Sequence, residues 1–211
     1  MHVILVNGSP HPEGCTYTAL GEVARTLNTE GITTEIFQIG TRPIAGCKAD
    51  KACAKTGRCS TNDCVNDFLD IAKDADGFVF GSPVHYAAAG GAISSFMDRA
   101  FYTDSNGTRK CFYLKPAAAV VSARRAGTTT ALDQLNKFFG IAEMPIISSR
   151  FWNMVHGATP EDVKKDLEGM QTMRVLARNM AWFLKCKEAG VKTGLPLPVK
   201  EDKVWTNFIR D

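Results

Sequence analysis

The residues with the clearest chemical potential follow the first apolar run of the chain. Val3 to Val6 is an unbroken aliphatic run, and residues 7–14 then hold two glycines and two prolines before helical periodicity begins. A strand, a glycine-bearing loop and a helix direct backbone N–H groups and the positive end of a helix dipole at one point, which suits a phosphate. Three hydroxyl side chains can add donors: Ser9, Thr16 and Thr18. The loop has no lysine and no G-x-x-x-x-G-K-[ST] motif, so we predict a site for one terminal phosphate and not for a nucleoside triphosphate.

Two later segments follow predicted strands and carry chemistry of their own. Gly81 to Gly91 contains the sequence G-S-P-V-H-Y, and Ser122 to Thr130 contains the adjacent arginines Arg124 and Arg125. The carboxyl ends of parallel strands meet at one edge of a sheet, and ligands of open α/β sheets bind there. We therefore expect these loops to converge with the first one on a single crevice.

The elements that must position these loops alternate between strand and helix. The predicted strands are Val3–Val6, Thr33–Ile39, Gly77–Phe80, Ala117–Ser122 and Pro145–Ser148. Five helices are predicted. The first begins at Thr16, the second covers Val65–Lys73, and the third has Ile93, Phe96, Met97 and Ala100 on one face. The fourth covers Thr128–Phe139, and the last has Thr159 as its N-cap and runs towards Lys187. Alternation of this kind predicts a parallel sheet with right-handed crossovers and helices on both faces.

The fold class that follows is α/β. We predict a flavodoxin-like three-layer α/β/α sandwich with a five-stranded parallel sheet in the order 2-1-3-4-5, because the dinucleotide fingerprint of the other common order is absent. Residues 1–211 are interpreted as a single domain with a C-terminal extension over about residues 190–211.

The composition and net charge of the chain argue against nucleic acid binding and against a membrane-spanning segment. The chain has 211 residues, 45% of them hydrophobic, and a net charge of +3, which is too mild to argue for nucleic acid binding. No apolar stretch is long enough to span a bilayer, and the amino terminus is itself a predicted strand. We therefore expect a cytoplasmic enzyme without a nucleic acid or membrane partner.

The glycine-bearing loops resemble the NAD(P)H-dependent FMN reductase family. Gly8-Ser9-Pro10-His11 with Cys15-Thr16 is similar to the family's G-S-P-R-x-x-x-N-T phosphate loop. Gly81 to Tyr86, with Gly91 and Phe96-Met97-Asp98-Arg99, is similar to its G-S-P-V-Y-W…G…F-x-D-R segment. The resemblance covers Met1 to about Gly157. His11 and Cys15 replace the usual Arg and Asn, so the resemblance implies an FMN affinity below the family norm.

The resemblance also implies the cofactor and its contacts. FMN would carry the redox chemistry, so no catalytic side chain is expected, and NAD(P)H would be the co-substrate. The phosphate would contact Ser9, His11, Cys15, Thr16, Tyr17 and Thr18. The flavin ring would lie along Pro83, Val84, His85 and Tyr86, with Ser122, Arg124 and Gly127 on its other side.

The implied function is hydride transfer from a nicotinamide nucleotide to FMN and on to a small acceptor such as a quinone or flavin. The implied assembly is a homodimer or homotetramer. The alternative is an electron carrier without a nicotinamide substrate, either of flavodoxin type or an iron–sulfur flavoprotein. Flavodoxin-type carriers are usually acidic, and the net charge of +3 argues against that choice.

Four of the seven cysteines fall in one irregular stretch: Cys47, Cys53, Cys59 and Cys64. Such density suggests a metal or cluster, and the family includes iron–sulfur flavoproteins with a compact cysteine motif near C-x2-C-x2-C. The gaps here are C-x5-C-x5-C-x4-C, so we expect free thiols and no metal. Nearby basic residues would lower a thiol pKa, which keeps a redox sensor in this loop as a further alternative.

Cys15 carries a separate expectation. If Thr16 opens the first helix, Cys15 occupies the N-cap, where the helix dipole would lower the pKa of its thiol and a bound phosphate would protect it.

Overall fold

Six strands form one sheet in the computed structural model, which describes residues 1–202 and 204–209. They are β1 (His2–Asn7), β2 (Thr33–Gln38), β3 (Gly77–His85), β4 (Ala88–Ala89), β5 (Ala117–Ala123) and β6 (Met154–His156). The parallel strands follow the order β2-β1-β3-β5-β6, while β4 pairs only with β3 and runs antiparallel to it. The predicted order 2-1-3-4-5 is confirmed for the parallel strands. The strand count differs from the prediction, because β3 continues past Phe80 and folds back as a short hairpin.

The position predicted for the last parallel strand was wrong. Pro145–Ser148 contributes only an isolated bridge between Ile146 and Ala117, with hydrogen bonds to Ala117 on either side of it. The chain then leaves the sheet and returns as β6, which pairs with the carboxyl end of β5. A turn at Ser149, whose hydroxyl accepts from the N–H of Phe151, interrupts the edge strand.

Seven helices cover the two faces of the sheet in the described part of the chain. They are α1 (Cys15–Thr29), α2 (Ala52–Thr56), α3 (Cys64–Ala72), α4 (Gly91–Asn106), α5 (Thr128–Ile141), α6 (Pro160–Lys165) and α7 (Leu167–Lys192). The last predicted helix is divided into α6 and α7. Asp166 lies between them with a non-helical ψ of 79°, and its carboxylate caps the start of α7. The predicted C-terminal extension begins inside α7. Residues 193–202 and 204–209 form neither helix nor strand, and residues 203, 210 and 211 lie outside the described residues.

The three layers follow from the alternation of side chains along the buried strands. Along β1, Ile4 and Val6 pack against an aromatic cluster under α3, α4 and α5, whereas Val3 and Leu5 face α1 and α7. All four side chains are fully buried, as expected for a central strand covered on both faces. None of the helices in the described part of the chain combines the length and apolar character that crossing a bilayer requires.

Candidate functional site

The loop after β1 is held against β3 at a distance that only glycine permits. The N–H of Gly8 donates to the carbonyl of Gly81 at 2.9 Å. A Cβ on Gly8 would lie 2.6 Å from that carbonyl oxygen and equally close to the Cβ of Ile93. Ser9 is buried, and its Oγ accepts a hydrogen bond from the N–H of His11. The first two loops are therefore in direct backbone contact.

A pair of amide side chains fixes the same loop to β2. Asn7 Nδ2 donates to Gln38 Oε1 and to the carbonyl of Pro12, and Gln38 Nε2 donates to the carbonyl of Ser9 at 2.7 Å. Both residues are the last of their strands. The sequence analysis missed this pair, although an amide at the end of two neighbouring strands is a signal that could have been used.

The start of α1 meets the end of β5 through two hydroxyls. Thr16 Oγ1 and Ser122 Oγ lie 2.8 Å apart and are both buried. The hydroxyl of Thr18 donates to the carbonyl of Gly14, so it serves the helix, while Tyr17 and His11 are exposed. Gly14 is the N-cap of α1, and no side chain caps this end of the helix. N–H groups of the first turn are thus left for an external acceptor.

Cys15 does not occupy the position that the sequence analysis gave it. It is the first helical residue, because Gly14 is the N-cap, and its thiol donates to the carbonyl of Gly157 at 3.7 Å. Burial raises the pKa of Cys15, and the carboxylates of Asp162 and Glu161 raise it further, which outweighs the lowering effect of the backbone N–H. The expected low-pKa thiol was therefore wrong.

The β3–β4 hairpin turns on two residues in the left-handed region, Tyr86 at φ 49° and Ala87 at φ 59°. Neither is glycine, so the turn is strained, and strain of this kind concentrates at binding sites. Ser82 stabilises the base of the hairpin, since its Oγ accepts from the N–H of Gly90 at 3.0 Å. Tyr86 is completely exposed at 105%. His85 is exposed as well, and Pro83 and Val84 are half-buried.

The third loop packs directly on this hairpin. Gly127 has φ 92°, and a Cβ there would lie 2.5 Å from the Cα of Ala87 and 3.1 Å from Val84 Cγ1. Arg124 and Arg125 precede it and are exposed. The structure therefore brings together the loops that follow β1, β3, β5 and β6. The candidate contact residues lie on the first three of these loops, on the first turn of α1, or at the carboxyl ends of β3 and β5, where Pro83, Val84, His85 and Ser122 are found.

The larger cavities lie away from these loops. A cleft of about 530 Å³ separates the segment after β2 from the start of α3 and is lined in part by Arg42, Asp63, Cys64 and Asp67. Cys64 lines this cleft, whereas the other three cysteines of its segment line a different cavity. The convergence of strand ends, and not cavity size, is what marks the candidate site.

Three of the clustered cysteines line a small cavity beside α4. Cys47, Cys53 and Cys59 line a space of about 10 Å³ together with Arg99; we call it the cysteine cavity. Asp98 accepts from the N–H of Cys47 at 2.9 Å, and Arg99 donates to the sulfur of Cys59 at 3.2 Å. The F-x-D-R segment thus anchors the cysteine loop to α4, a role that the sequence analysis did not foresee. All seven cysteines of the chain are free.

A parallel sheet in this order, with glycine-bearing loops at its carboxyl edge, defines a flavodoxin-like α/β protein. The model of the NADPH-dependent FMN reductase family matches residues 1–159. The chain belongs to that family, so it is an FMN-binding flavoprotein of the oxidoreductase class.

Curated relatives support the same assignment over nearly their whole length. An iron-sulfur flavoprotein of Methanocaldococcus jannaschii is 31% identical over 194 residues, which cover 88% of this chain and 98% of the relative. An iron-sulfur flavoprotein of Archaeoglobus fulgidus is 26% identical over 201 residues, with the same coverage.

Solved structures agree on the fold. RosB, solved with a bound 8-demethyl-8-formylriboflavin-5'-phosphate intermediate, superposes with a TM-score of 0.70 at 14% identity and covers 100% of this chain and 94% of its own. An archaeal flavodoxin gives a TM-score of 0.58 at 14% identity, covering 88% of this chain and 99% of its own.

Proposed function

We propose that the chain transfers hydride from NADH or NADPH to bound FMN and passes the electrons on to a small acceptor such as a quinone or a free flavin. The observation that carries this proposal is the convergence of the loops after β1, β3 and β5, through the Gly8–Gly81 hydrogen bond, the Thr16–Ser122 contact and the packing of Gly127 on the hairpin. Family membership supplies the cofactor.

The FMN phosphate would bind at the start of α1. The uncapped first turn offers backbone N–H groups and the positive end of the helix dipole, with Ser9 and Thr16 as hydroxyl donors. His11, Cys15, Tyr17 and Thr18 surround the same turn. Only Thr18 has its hydroxyl already engaged within the helix. Neutral donors alone favour a phosphate carried by a small cofactor over a nucleoside triphosphate.

The flavin ring would lie against the hairpin. The backbone of Pro83 to Tyr86 is held by Ser82 on one side and by Gly127 on the other, so its N–H and C=O groups are positioned before the cofactor binds. When bound, FMN accepts hydride and releases electrons singly or in pairs. The side chains of this chain bind and orient it, with Ser122 and Arg124 on the far side of the ring.

The nicotinamide nucleotide would be recognised by charge. Arg124 and Arg125 are exposed at the carboxyl end of β5, beside the hairpin, and guanidinium groups suit the pyrophosphate of such a nucleotide. An electron carrier would need no such anion-binding group next to its flavin. A second subunit in a homodimer or homotetramer would complete the open side of the site.

The names of the curated relatives also raise the question of an iron–sulfur cluster in this chain, and its residues do not fit one. In a C-x2-C-x2-C motif starting at Cys47, the second ligand falls on Asp50. Both carboxylate oxygens of Asp50 already accept hydrogen bonds, from the N–H of Ala52 and the hydroxyl of Ser60. Within residues 1–202 and 204–209, no group of three or more His, Cys, Asp or Glu side chains is placed to hold a metal ion.

An anaerobic titration tests the proposal. Addition of NADH or NADPH to the FMN-loaded protein should abolish the visible absorbance of oxidised flavin, and a quinone should restore it. Arg124→Ala should raise the KM for the nucleotide with little change in kcat, because the lost interaction is made equally before and during hydride transfer. Arg178→Ala, an exposed arginine on α7, is the matched control. If dithionite reduces the flavin but neither nucleotide does, the protein is an electron carrier.

A further inference from the structure

A cleft near the carboxyl ends of α4 and α5 has the lining of a small-molecule site. Its volume is about 420 Å³, and more than half of the residues that line it are aromatic or aliphatic: Phe101, Tyr102, Phe138, Ile141, Ala142 and Trp205. We call it the α4–α5 cleft. Pockets for small molecules typically enclose ~300–1,000 Å³ and combine apolar walls with a few polar groups. The strand-end loops adjoin the first turns of the same two helices, so roughly 15 Å of helix separates the cleft from them.

The aromatic wall of the cleft is packed from behind. The ring of Phe101 is buried, stacks on Phe112 with the centroids 4.3 Å apart, and packs against Phe138 at 5.5 Å. Glu143, at the end of the cleft that follows α5, is held by its backbone, because its carbonyl accepts from the N–H of Leu114 at 3.2 Å. A wall that is already in place lowers the cost of ordering side chains when a ligand binds.

The charged part of the lining is mainly acidic. Within the described part of the chain, one ammonium group, that of Lys200, lines the cleft together with three carboxylates: Asp98, Asp104 and Glu143. Three negative charges against one positive charge leave an excess of two negative charges. The carboxyl ends of α4 and α5 add the negative ends of their helix dipoles. The cleft therefore favours a cationic ligand over an anionic one.

The carboxyl-terminal segment of the chain shows which chemistry this surface accepts. Lys200 Nζ lies 3.1 Å from Glu143 Oε1 and 4.6 Å from the centre of the Tyr113 ring. The hydroxyl of Tyr113 donates to the carbonyl of Pro198 at 3.3 Å, and Trp205 lines the cleft. Trp205 is 82% exposed, so most of its ring surface remains accessible to a ligand. The chain itself thus places an ammonium group and an aromatic ring against the cleft.

We propose that the α4–α5 cleft binds a small aromatic amine, with its ring among the aromatic side chains and its ammonium group at the carboxylates of Asp98 and Asp104. Glu143 is already paired with Lys200. Asp98 and Asp104 each accept one hydrogen bond from a backbone N–H, which engages a single carboxylate oxygen and leaves acceptor capacity for an ammonium group. The site is separate from the strand-end loops, and Lys200 and Trp205 form its movable wall.

Three indoles that share a ring and differ in charge test the proposal: tryptamine, the neutral 3-ethylindole and the anionic indole-3-propionate. Calorimetric titration of the FMN-loaded protein should show the tightest binding for tryptamine and at least ~10-fold weaker binding for 3-ethylindole, equivalent to about 1.4 kcal/mol. Indole-3-propionate should be weaker still. Amide shifts in ¹H–¹⁵N spectra should centre on the carboxyl ends of α4 and α5. No binding of tryptamine, equal affinity for the cation and the anion, or shifts centred on the strand-end loops would overturn the proposal.

Asp104→Asn tests the charge of the cleft. The amide oxygen of Asn can still accept from the N–H of Cys111, so the local structure should remain. Tryptamine should bind about 10-fold more weakly to this variant, and 3-ethylindole should bind as before. Asp133→Asn, an exposed carboxylate on α5 outside the cleft, is the matched control and should change neither affinity. Equal weakening in both variants would mean that the net charge of the protein, and not the cleft, attracts the amine.

Trp205→Ala tests the carboxyl-terminal segment as a wall of the site. Loss of the indole ring should weaken tryptamine and 3-ethylindole by the same factor, roughly 2- to 10-fold, whereas Trp182→Ala on the exposed face of α7 should have no effect. Bound tryptamine should also slow cleavage after Glu201 by a glutamate-specific protease. Unchanged affinity in Trp205→Ala, or faster cleavage with tryptamine present, would overturn the proposed site. FMN affinity should be the same in all these variants, so failure here leaves the proposed reductase function untouched.

Discussion

Replacement of Gly127 by alanine should damage the FMN site more than any other single methyl group added to the strand-end loops. Gly127 is the N-cap of α5 and has φ 92°, in the left-handed region. The new Cβ would lie 2.5 Å from the Cα of Ala87 and 2.9 Å from its Cβ. The nearest atom belongs to the backbone, so no side-chain rotation relieves the overlap. Either the hairpin or the start of α5 must move.

Two costs add in the variant. A residue other than glycine in the left-handed region costs about 1–3 kcal/mol. Overpacking that forces a backbone shift costs a further ~1–3 kcal/mol. The expected loss is therefore about 2–6 kcal/mol of unfolding free energy, a large part of the ~5–15 kcal/mol of a typical domain. A hairpin displaced from the flavin should also weaken FMN binding at least ~10-fold, or about 1.4 kcal/mol.

Urea unfolding without FMN and a fluorescence titration with FMN measure the two effects separately. Gly140→Ala is the matched control on the same helix, because its Cβ would meet nothing within 4 Å. That variant should be more stable by about 0.5–1 kcal/mol and bind FMN normally. Ala87→Gly in the Gly127→Ala background should restore stability only in part, since the clash with the Cα of residue 87 remains. Unchanged FMN affinity in a folded Gly127→Ala protein would refute the placement of the flavin against the hairpin.

Three further outcomes are expected. FMN should bind far more tightly than riboflavin in fluorescence quenching, because the start of α1 recognises the phosphate; equal affinities would remove that loop from the site. Thr16→Val should cost about 1–3 kcal/mol in urea unfolding by leaving the buried hydroxyl of Ser122 without its partner, and Ser122→Ala should restore most of it. Burial acts to raise the pKa of Glu22, but Arg25 and Arg174 lower it below its ordinary value of 4.5. The ionised Glu22 therefore stabilises the folded protein fully above that pH, and this stabilisation is lost as the pH falls through the folded-state pKa. Glu22→Gln should therefore be less stable than the parent protein at neutral pH and match it in acid; a constant difference at both would contradict the assignment.

The central strands could be predicted, because a strand that is buried on both faces has an unbroken run of apolar residues. The strand at the edge of the sheet could not be predicted in this way. Pro145 to Ser148 has the apolar character of a strand, yet only Ile146 forms a bridge, while β6 has a single fully buried residue, Val155. Pairing at an edge depends on which backbone groups of β5 are still free, and that is a property of the assembled sheet.

The candidate site divides in the same way. Ser9, Thr16 and Gly127 could be identified from their local sequence, because a hydroxyl or a glycine directly after a predicted strand indicates a turn or a binding loop. The Asn7–Gln38 pair has no local signal, since the two amides lie 31 residues apart, and only their shared place at the ends of two neighbouring strands indicates it. The pKa of Cys15 was predicted with the wrong sign for a related reason. Burial is the main cause that raises it, the carboxylates of Asp162 and Glu161 add to it, and both effects depend on segments far along the chain.

One helix, α4, holds both the β3–β4 hairpin and the cysteine loop. At its start, the N–H of Gly90 bonds to Ser82 and to the carbonyl of Pro83 beneath the hairpin; further along, Asp98 and Arg99 hold the cysteine loop. With a rise of about 1.5 Å per residue, the two anchoring points lie roughly 12 Å apart along α4. The contacts at each end involve different side chains, so a substitution at one end should leave the other contact in place. A change that unpacks the buried face of α4 should instead displace both the hairpin and the cysteine loop.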